Sequence, residues 1–230
     1  MSSEQQQEVV QRTDVFSKIQ AWFENNQKMV TYIIGAIAAV IVLYWAYNKY
    51  YQEPRQIEAA NELFPLEKAF GQDSMDVVLK GINGGMSAPN IADEYSGTKA
   101  GNIAAYMSGV AFFTKGEYDK AIDYLQVFKA SDALLGPNKI GLIGDCYAAK
   151  KELEKAANYF NKAGRKNVNN LTTPHWLFKA GAAYEKLGEW DDAISAYEFI
   201  KENCKDAPNA TQIDKYISYA QARGGDLTEK

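Results

Sequence analysis

"AAYMSGVAFFTKGEYDKAIDYLQVF", residues 104–128, decides how the rest of the chain is read, because its pattern returns twice. "IGLIGDCYAAKKELEKAANYFNKA" at 140–163 and "WLFKAGAAYEKLGEWDDAISAYEFI" at 176–200 align with it on their glycines. Gly109, Gly144 and Gly181 stand 35 and 37 positions apart, and Ala121, Ala156 and Ala193 keep the same intervals. An aromatic ring follows each glycine by three positions, at Phe112, Tyr147 and Tyr184, and a large side chain follows each alanine by four, at Leu125, Phe160 and Tyr197. Glu117, Glu152 and Glu189 occupy the turn between the two halves. A small residue on each of two antiparallel helices lets them approach closely, and the aromatics fill the space to the next pair. One pair alone cannot bury its apolar face, so the units must stack.

Helix–turn–helix units of about this period resemble the tetratricopeptide pattern. The expected fold is all-α: an N-terminal transmembrane helix followed by a tetratricopeptide helical solenoid of three clear repeats. A degenerate helical pair precedes the repeats and a capping helix closes them. For the cap, "ATQIDKYISYAQARGG" at 210–225 places Ile213, Tyr216, Ile217 and Ala220 on one helical face, with the solenoid closing near Arg223. That sets the repeat domain at 96–223 and a tail at 224–230. Residues 48–95 form the linker and the degenerate pair, with Ile57, Ala60, Leu63, Phe64, Leu66 and Phe70 in helical order. Pro54 marks a fresh helix start, and Pro65 is expected to kink that helix without ending it. A short helix from Ser74 to Lys80 precedes the loop "GINGGMSAPN" at 81–90; no Gly-Lys-Ser/Thr follows its glycines, so it is no phosphate cradle.

Upstream, "MVTYIIGAIAAVIVLYWAY" at 29–47 carries no charge across nineteen positions. Nineteen helical residues rise roughly 30 Å, the hydrocarbon thickness of a bilayer. Lys28 and Lys49 flank the run, and Tyr44, Trp45, Tyr47, Tyr50 and Tyr51 crowd its second end as an interfacial belt would. A core helix is rarely apolar around its whole circumference, and a cleaved signal sequence has a shorter apolar region nearer the N-terminus. The run reads as a transmembrane helix. Gly35 and Ala39 form a small-xxx-small pair on which a second membrane helix can pack, although such residues are common in membrane spans. In the leader, 1–28, Val15, Phe16, Ile19, Trp22 and Phe23 follow helical spacing, as an interfacial amphipathic helix or an extension of the span; residues 1–13 read as disordered. Arg12, Lys18 and Lys28 before the span balance Lys49, Arg55 and Lys68 after it, so charge does not orient it.

A net charge of −4 without a Lys/Arg cluster in the sequence argues against nucleic acid as a partner. Cys146 and Cys204, 58 positions apart, show neither metal nor redox spacing and read as buried free thiols. The single histidine, His175, follows Pro174 at the opening of the third repeat, where a surface or capping place is expected. Asp191 and Asp192 suit a helix N-terminus. Two glycosylation sequons, Asn170-Leu171-Thr172 and Asn209-Ala210-Thr211, matter only in a eukaryotic secretory setting. No cofactor, metal or reaction class is predicted, which leaves binding. A helical solenoid offers a groove lined by the first helix of each pair. Its candidates are Ile103, Tyr106, Val110 and Phe113, then Asn138, Asp145 and Ala148, then His175, Phe178 and Glu185. Some tetratricopeptide domains hold a partner's C-terminal carboxylate with Lys and Asn on these helices. The corresponding places here carry Tyr106, Val110, Gly141 and Asp145, which suits an apolar or helical segment instead. Alternatively, Tyr106 and Phe113 pack against neighbouring helices.

"YSGTKAGNIAAYMSGVAFFTKGEYDKAIDYLQVF" at 95–128, continued by "LGPNKIGLIGDCYAAKKELEKAANYF" at 135–160, resembles the YfgM-like ancillary subunits of the bacterial Sec translocon. One N-terminal crossing before a small repeat array has the same resemblance. It implies a bacterial inner-membrane protein with its N-terminus cytoplasmic and its repeats in the periplasm. It also implies protein partners: translocon channel subunits, a membrane-bound prolyl isomerase, periplasmic chaperones and exported polypeptides. The competing reading is a structural scaffold of another envelope complex, for secretion or cell division, acting through the convex face.

Overall fold

The computed structural model describes residues 17–18, 20–130, 132–207 and 212–228, and among these every regular element is helical. The chain divides into two compact units, Met1–Pro54 and Arg55–Lys230.

In the first unit, residues 20–25 are helical and α1 runs over Gln27–Tyr47. A π-helical turn, Asn48–Gln52, follows it. No side chain of α1 is buried, and its mean hydropathy reaches 2.2, so it is long and apolar enough to cross a membrane. In water such a surface would be strongly unfavourable; in hydrocarbon the helix satisfies its own backbone and needs no other partner. Tyr47 stacks on Tyr51 at 5.2 Å between ring centroids and Trp45 meets Tyr50 edge-on at 6.3 Å. Nothing stands within 4 Å of the place a side chain would take on Gly35. Trp22 and Phe23 are exposed, whereas Val15, Phe16, Ile19 and the stretch 1–13 lie outside the described residues.

The second unit begins within α2 (Glu53–Gly71) and continues with two short helices, α3 (Met75–Lys80) and α4 (Ala88–Glu94). Pro65 leaves α2 unbroken. Its buried stripe is Ala59, Leu63, Leu66 and Ala69, which pack with Met75, Val78 and Ile91; Ile57 and Phe64, on the flank of that stripe, stay exposed. One long and two short helices thus occupy the place of the degenerate pair. Ser87 caps α4 by accepting the Asn90 N–H, with Pro89 inside the first turn, so the connecting loop ends at Ser87 and not at Asn90.

Three helical hairpins follow: α5 (Lys99–Thr114) with α6 (Tyr118–Val127), α7 (Leu135–Ala149) with α8 (Leu153–Lys166), and α9 (Thr172–Leu187) with α10 (Trp190–Asn203). Thr98 starts the first by accepting the Gly101 N–H at 2.9 Å. Each hairpin turns by the same hydrogen-bond pair. Gly116 N–H donates to Phe113 O at 3.0 Å and Glu117 N–H to Phe112 O at 2.9 Å, and Lys151, Glu152, Gly188 and Glu189 repeat this in the other two. That is a Schellman turn, which needs a left-handed residue: Gly116, Lys151 and Gly188 have φ of 79°, 64° and 77°.

Within each hairpin the aligned glycine faces the aligned large residue. A methyl on Gly109 would stand 2.6 Å from Leu125 Cγ, one on Gly144 2.7 Å from Phe160, and one on Gly181 closer still to Tyr197. Ala121, Ala156 and Ala193 have no exposed surface. α8 packs as extensively on the following α9 as on its own partner, with Gly164 under Leu177, while Gly141 of α7 lies under the Trp176 ring of α9. The last helix, α11 (Ile213–Thr228), covers α10 with Ile213, Ile217 and Ala220, and runs on past Arg223 to Thr228.

Candidate protein-binding groove

The first helices α5, α7 and α9 stand side by side in order, α5 beside α7 and α7 beside α9. On α5, Ile103 is exposed, Val110 is partly covered, and Tyr106 and Phe113 share their faces between solvent and neighbours. Tyr106 lies 5.0 Å from Phe128, and burial raises its phenol pKa; Phe113 lies 5.9 Å from Tyr118. Both rings therefore spend part of their surface on the α6 side of the hairpin.

Charge in the middle of the row is internally neutralised. Lys179 of α9 donates to both oxygens of Asp145 of α7, at 2.8 and 2.9 Å, and its ammonium sits 4.9 Å above the Trp176 ring. Asn138 accepts the Trp176 indole N–H at 3.1 Å. Glu185 accepts the Tyr197 hydroxyl at 2.8 Å, and with burial this drives the tyrosine pKa far up. Asp145 and Glu185 are thus committed to neighbours. Ala148 is partly buried.

His175 and Phe178 are the two expected residues that the fold brings into a cavity. A cleft of about 550 Å³ opens between α9, α10 and α11, walled by Pro174, His175, Phe178, Tyr197 and Tyr216. Phe178 stands between Tyr197 at 5.8 Å and Tyr216 at 5.3 Å. His175 is exposed and meets Trp176 edge-on at 4.4 Å. Its pKa lies below the ordinary histidine value because packing desolvates the ring and the Lys179 ammonium opposes a second charge, against the pull of Asp145. Ile103, Tyr106, Val110 and Phe113 lie two hairpins away and do not join the cleft. Tyr216 was expected in the buried face of the cap; it sits at the edge of that stripe and turns an apolar ring with a polar tip into the cleft. The signal for this was its residue type: at a stripe edge, tyrosine suits a half-wet wall better than a dry core.

Cys146 and Cys204 are free and buried. Burial and the Asp145 charge push the Cys146 thiol up to about 12, and burial raises Cys204. Neither is a thiolate at neutral pH. Among the described residues no three His, Cys, Asp or Glu side chains converge as a metal site. Asn170 and Leu171 lie on the rim of the cleft, while Asn209, Ala210 and Thr211 are outside the described residues.

The family model described as Tetratricopeptide repeat matches residues 104–132 and 177–203, which are the α5–α6 and α9–α10 hairpins. The chain folds as a helical repeat solenoid. With the all-helical architecture, the match supports a tetratricopeptide-repeat protein, a class that binds protein partners and typically has no catalytic role. The α7–α8 hairpin falls between the matched segments, yet the Gly144–Phe160 contact and the turn at Lys151 give the solenoid a third equivalent unit. No curated protein matches the chain.

Proposed function

We propose that this chain is a non-enzymatic, single-pass scaffold, anchored by the segment 29–47, whose repeat domain over 96–223 binds polypeptide at the periplasmic face of a bacterial inner membrane. In this reading it serves as an accessory to the Sec translocon, with channel subunits, a membrane-bound prolyl isomerase and exported chains as partners, and no cofactor. Gly35 and Ala39 are then the faces on which a partner's membrane helix packs.

The observation that carries the reading is the combination of an aromatic-walled cleft between α9, α10 and the capping helix α11 with a wholly exposed apolar helix in the same chain. A cleft lined by Phe178, Tyr197 and Tyr216, whose nearest charge pair is already matched, suits apolar side chains of an extended or helical segment. Anchoring holds that cleft near the bilayer and raises the effective concentration of chains emerging there, so weak contacts suffice. The groove residues on α5, with Ile103 and Phe113 leading, extend the surface available to a longer partner.

The test places photo-crosslinking residues at Ile103, Phe113 and Phe178 of the full chain in intact cells. Adducts with channel subunits or nascent exported chains are expected. Adducts confined to a division or secretion assembly would transfer the scaffold role to that complex. Protease protection of the repeat domain in sealed cells, lost on permeabilising the outer membrane, is the expected topology; digestion only after inner-membrane lysis would eliminate the periplasmic reading.

A further inference from the structure

The end of the solenoid at which the repeats are joined carries features that a protein-binding cleft does not use. Contacts run along it from the start of α2 to the start of α9. Lys99 N–H donates to Gln56 Oε1 at 3.0 Å, and Asn102 holds the Lys129 backbone from both sides at 2.7 and 2.9 Å. Lys139 Nζ donates to Phe128 O, and Asn167 donates to Asp132 O at 3.5 Å. These bonds tie the loops 128–135 and 167–171 to the end of the unit that begins at Arg55.

Those two loops present bare apolar tips. Leu134, Leu135 and Val168 are between 39% and 49% exposed, although leucine and valine are among the residues most often buried. The Asp132 carboxylate is folded back to accept the Leu134 and Leu135 N–H groups at 2.8 and 2.6 Å, which fixes the loop with its leucines outward. Beside them lie lysines that folding brings to the loop. Lys139 is part-buried and spent on the Phe128 carbonyl, and its pKa lies below the ordinary lysine value by desolvation first and by the Lys166 and Lys162 charges second. Lys166 reaches over the first turn of α7, its Cε 3.4 Å from the place a side chain on Gly136 would take. Lys166, with the exposed Lys162 one turn before it on α8, thus stands beside the loop whose leucines face outward, while the Asp132 carboxylate of that loop is turned onto its own backbone.

We propose that this rim is a lipid-docking surface: Leu134, Leu135 and Val168 insert at the headgroup level of an anionic bilayer, and the exposed Lys162 and Lys166 pair with its headgroups. The assignment rests on the membrane-anchored reading of α1. Apolar tips framed by lysines match an anionic interface in both terms, whereas a protein partner would have to supply apolar surface and carboxylates together.

The test uses the full chain reconstituted in vesicles of phosphatidylcholine alone or mixed with phosphatidylglycerol, each containing lipids with bromine on the acyl chains. An environment-sensitive fluorophore is attached at Leu134→Cys or Val168→Cys. The buried Cys146 and Cys204 label slowly, and the unsubstituted chain supplies the blank. Quenching is expected at both positions, roughly twofold stronger or more with phosphatidylglycerol, and absent at Lys186→Cys near the other end of α9. Lys162→Glu with Lys166→Glu should abolish the preference for phosphatidylglycerol. Unquenched emission at both positions, or equal quenching in the two vesicle types, overturns the proposal and leaves the rim to an acidic protein partner. A probe at Leu43→Cys separates the two readings: it is quenched wherever α1 spans, and if it is not, the anchor fails and the docking surface with it.

Discussion

The middle hairpin turn is where one residue departs from its two counterparts. Lys151 takes φ of 64° where the other turns use Gly116 and Gly188. A side chain in the left-handed region costs about 1 kcal/mol relative to glycine, because Cβ crowds the backbone carbonyl. Lys151→Gly should therefore raise unfolding stability by about 0.5–1 kcal/mol, read as a higher urea midpoint with an unchanged slope. A fall in the midpoint would mean that the Lys151 side chain makes a compensating contact. His175 offers a second residue-scale reading, since it is the only histidine and gives a single imidazole signal in proton NMR. Its folded pKa is depressed, chiefly by desolvation and then by Lys179. Lys179→Met should move the midpoint upward and Asp145→Asn further downward. For stability, a depressed histidine means the neutral form is favoured by folding. The contribution is full above the unfolded value and diminishes as pH falls through the folded one. A midpoint above the ordinary histidine range would contradict the structure.

At the scale of elements, the hairpins are held by a glycine that yields space to one large neighbour. Gly144→Ala puts a methyl 2.7 Å from Phe160, a ring whose own position is fixed by the Trp176 ring 6.0 Å away. Overpacking of this kind costs about 1–3 kcal/mol, and pairing it with Phe160→Leu should recover part of the loss. If the double variant is no more stable than the single, the two side chains are not in contact. The recurring positions were legible in the sequence because interval and residue type repeat, but the pairing was not: the sequence set each glycine against the alanine of its partner helix, whereas Gly109 faces Leu125, Gly144 faces Phe160 and Gly181 faces Tyr197. The membrane-length helix was equally legible, since nineteen uncharged residues need no partner to be noticed. What register does not carry is which side chain finishes in which cavity. The cleft needed Tyr216 from the cap to meet Phe178 from the third repeat, a pairing across 38 positions set by how α11 lies on α9 and α10. Likewise Asp145, expected to face a ligand, is matched by Lys179 from the next repeat. Lys162 and Lys166 stand one turn apart on α8 and reach the loop before α7 only through folding, so no run of charge announced them.

Across the whole repeat unit, stability is distributed along one dimension, because each hairpin touches chiefly its neighbours in order. The cap is the test of this. Ile213 and Ile217 lose nearly all their surface against α10, and each buried isoleucine contributes about 1.5–3 kcal/mol. Together they supply about 3–6 kcal/mol, an appreciable share of the 5–15 kcal/mol typical of a whole domain. Truncation after Asn203 removes that cover and also removes Tyr216 from the cleft. The expected result is graded. Amide hydrogens of α10 should lose protection against exchange first and those of α9 next, while α5 and α6, three helices further from the break, keep theirs. A crosslinker at Phe178 should fall silent in the same variant, while one at Ile103 continues to report. Because the loss begins beside α10, it tests the cleft separately from the α5 surface. A uniform collapse of protection across all three hairpins would instead mean that the solenoid folds as a single cooperative block, with coupling between first and third repeats that their neighbour-only contacts do not provide.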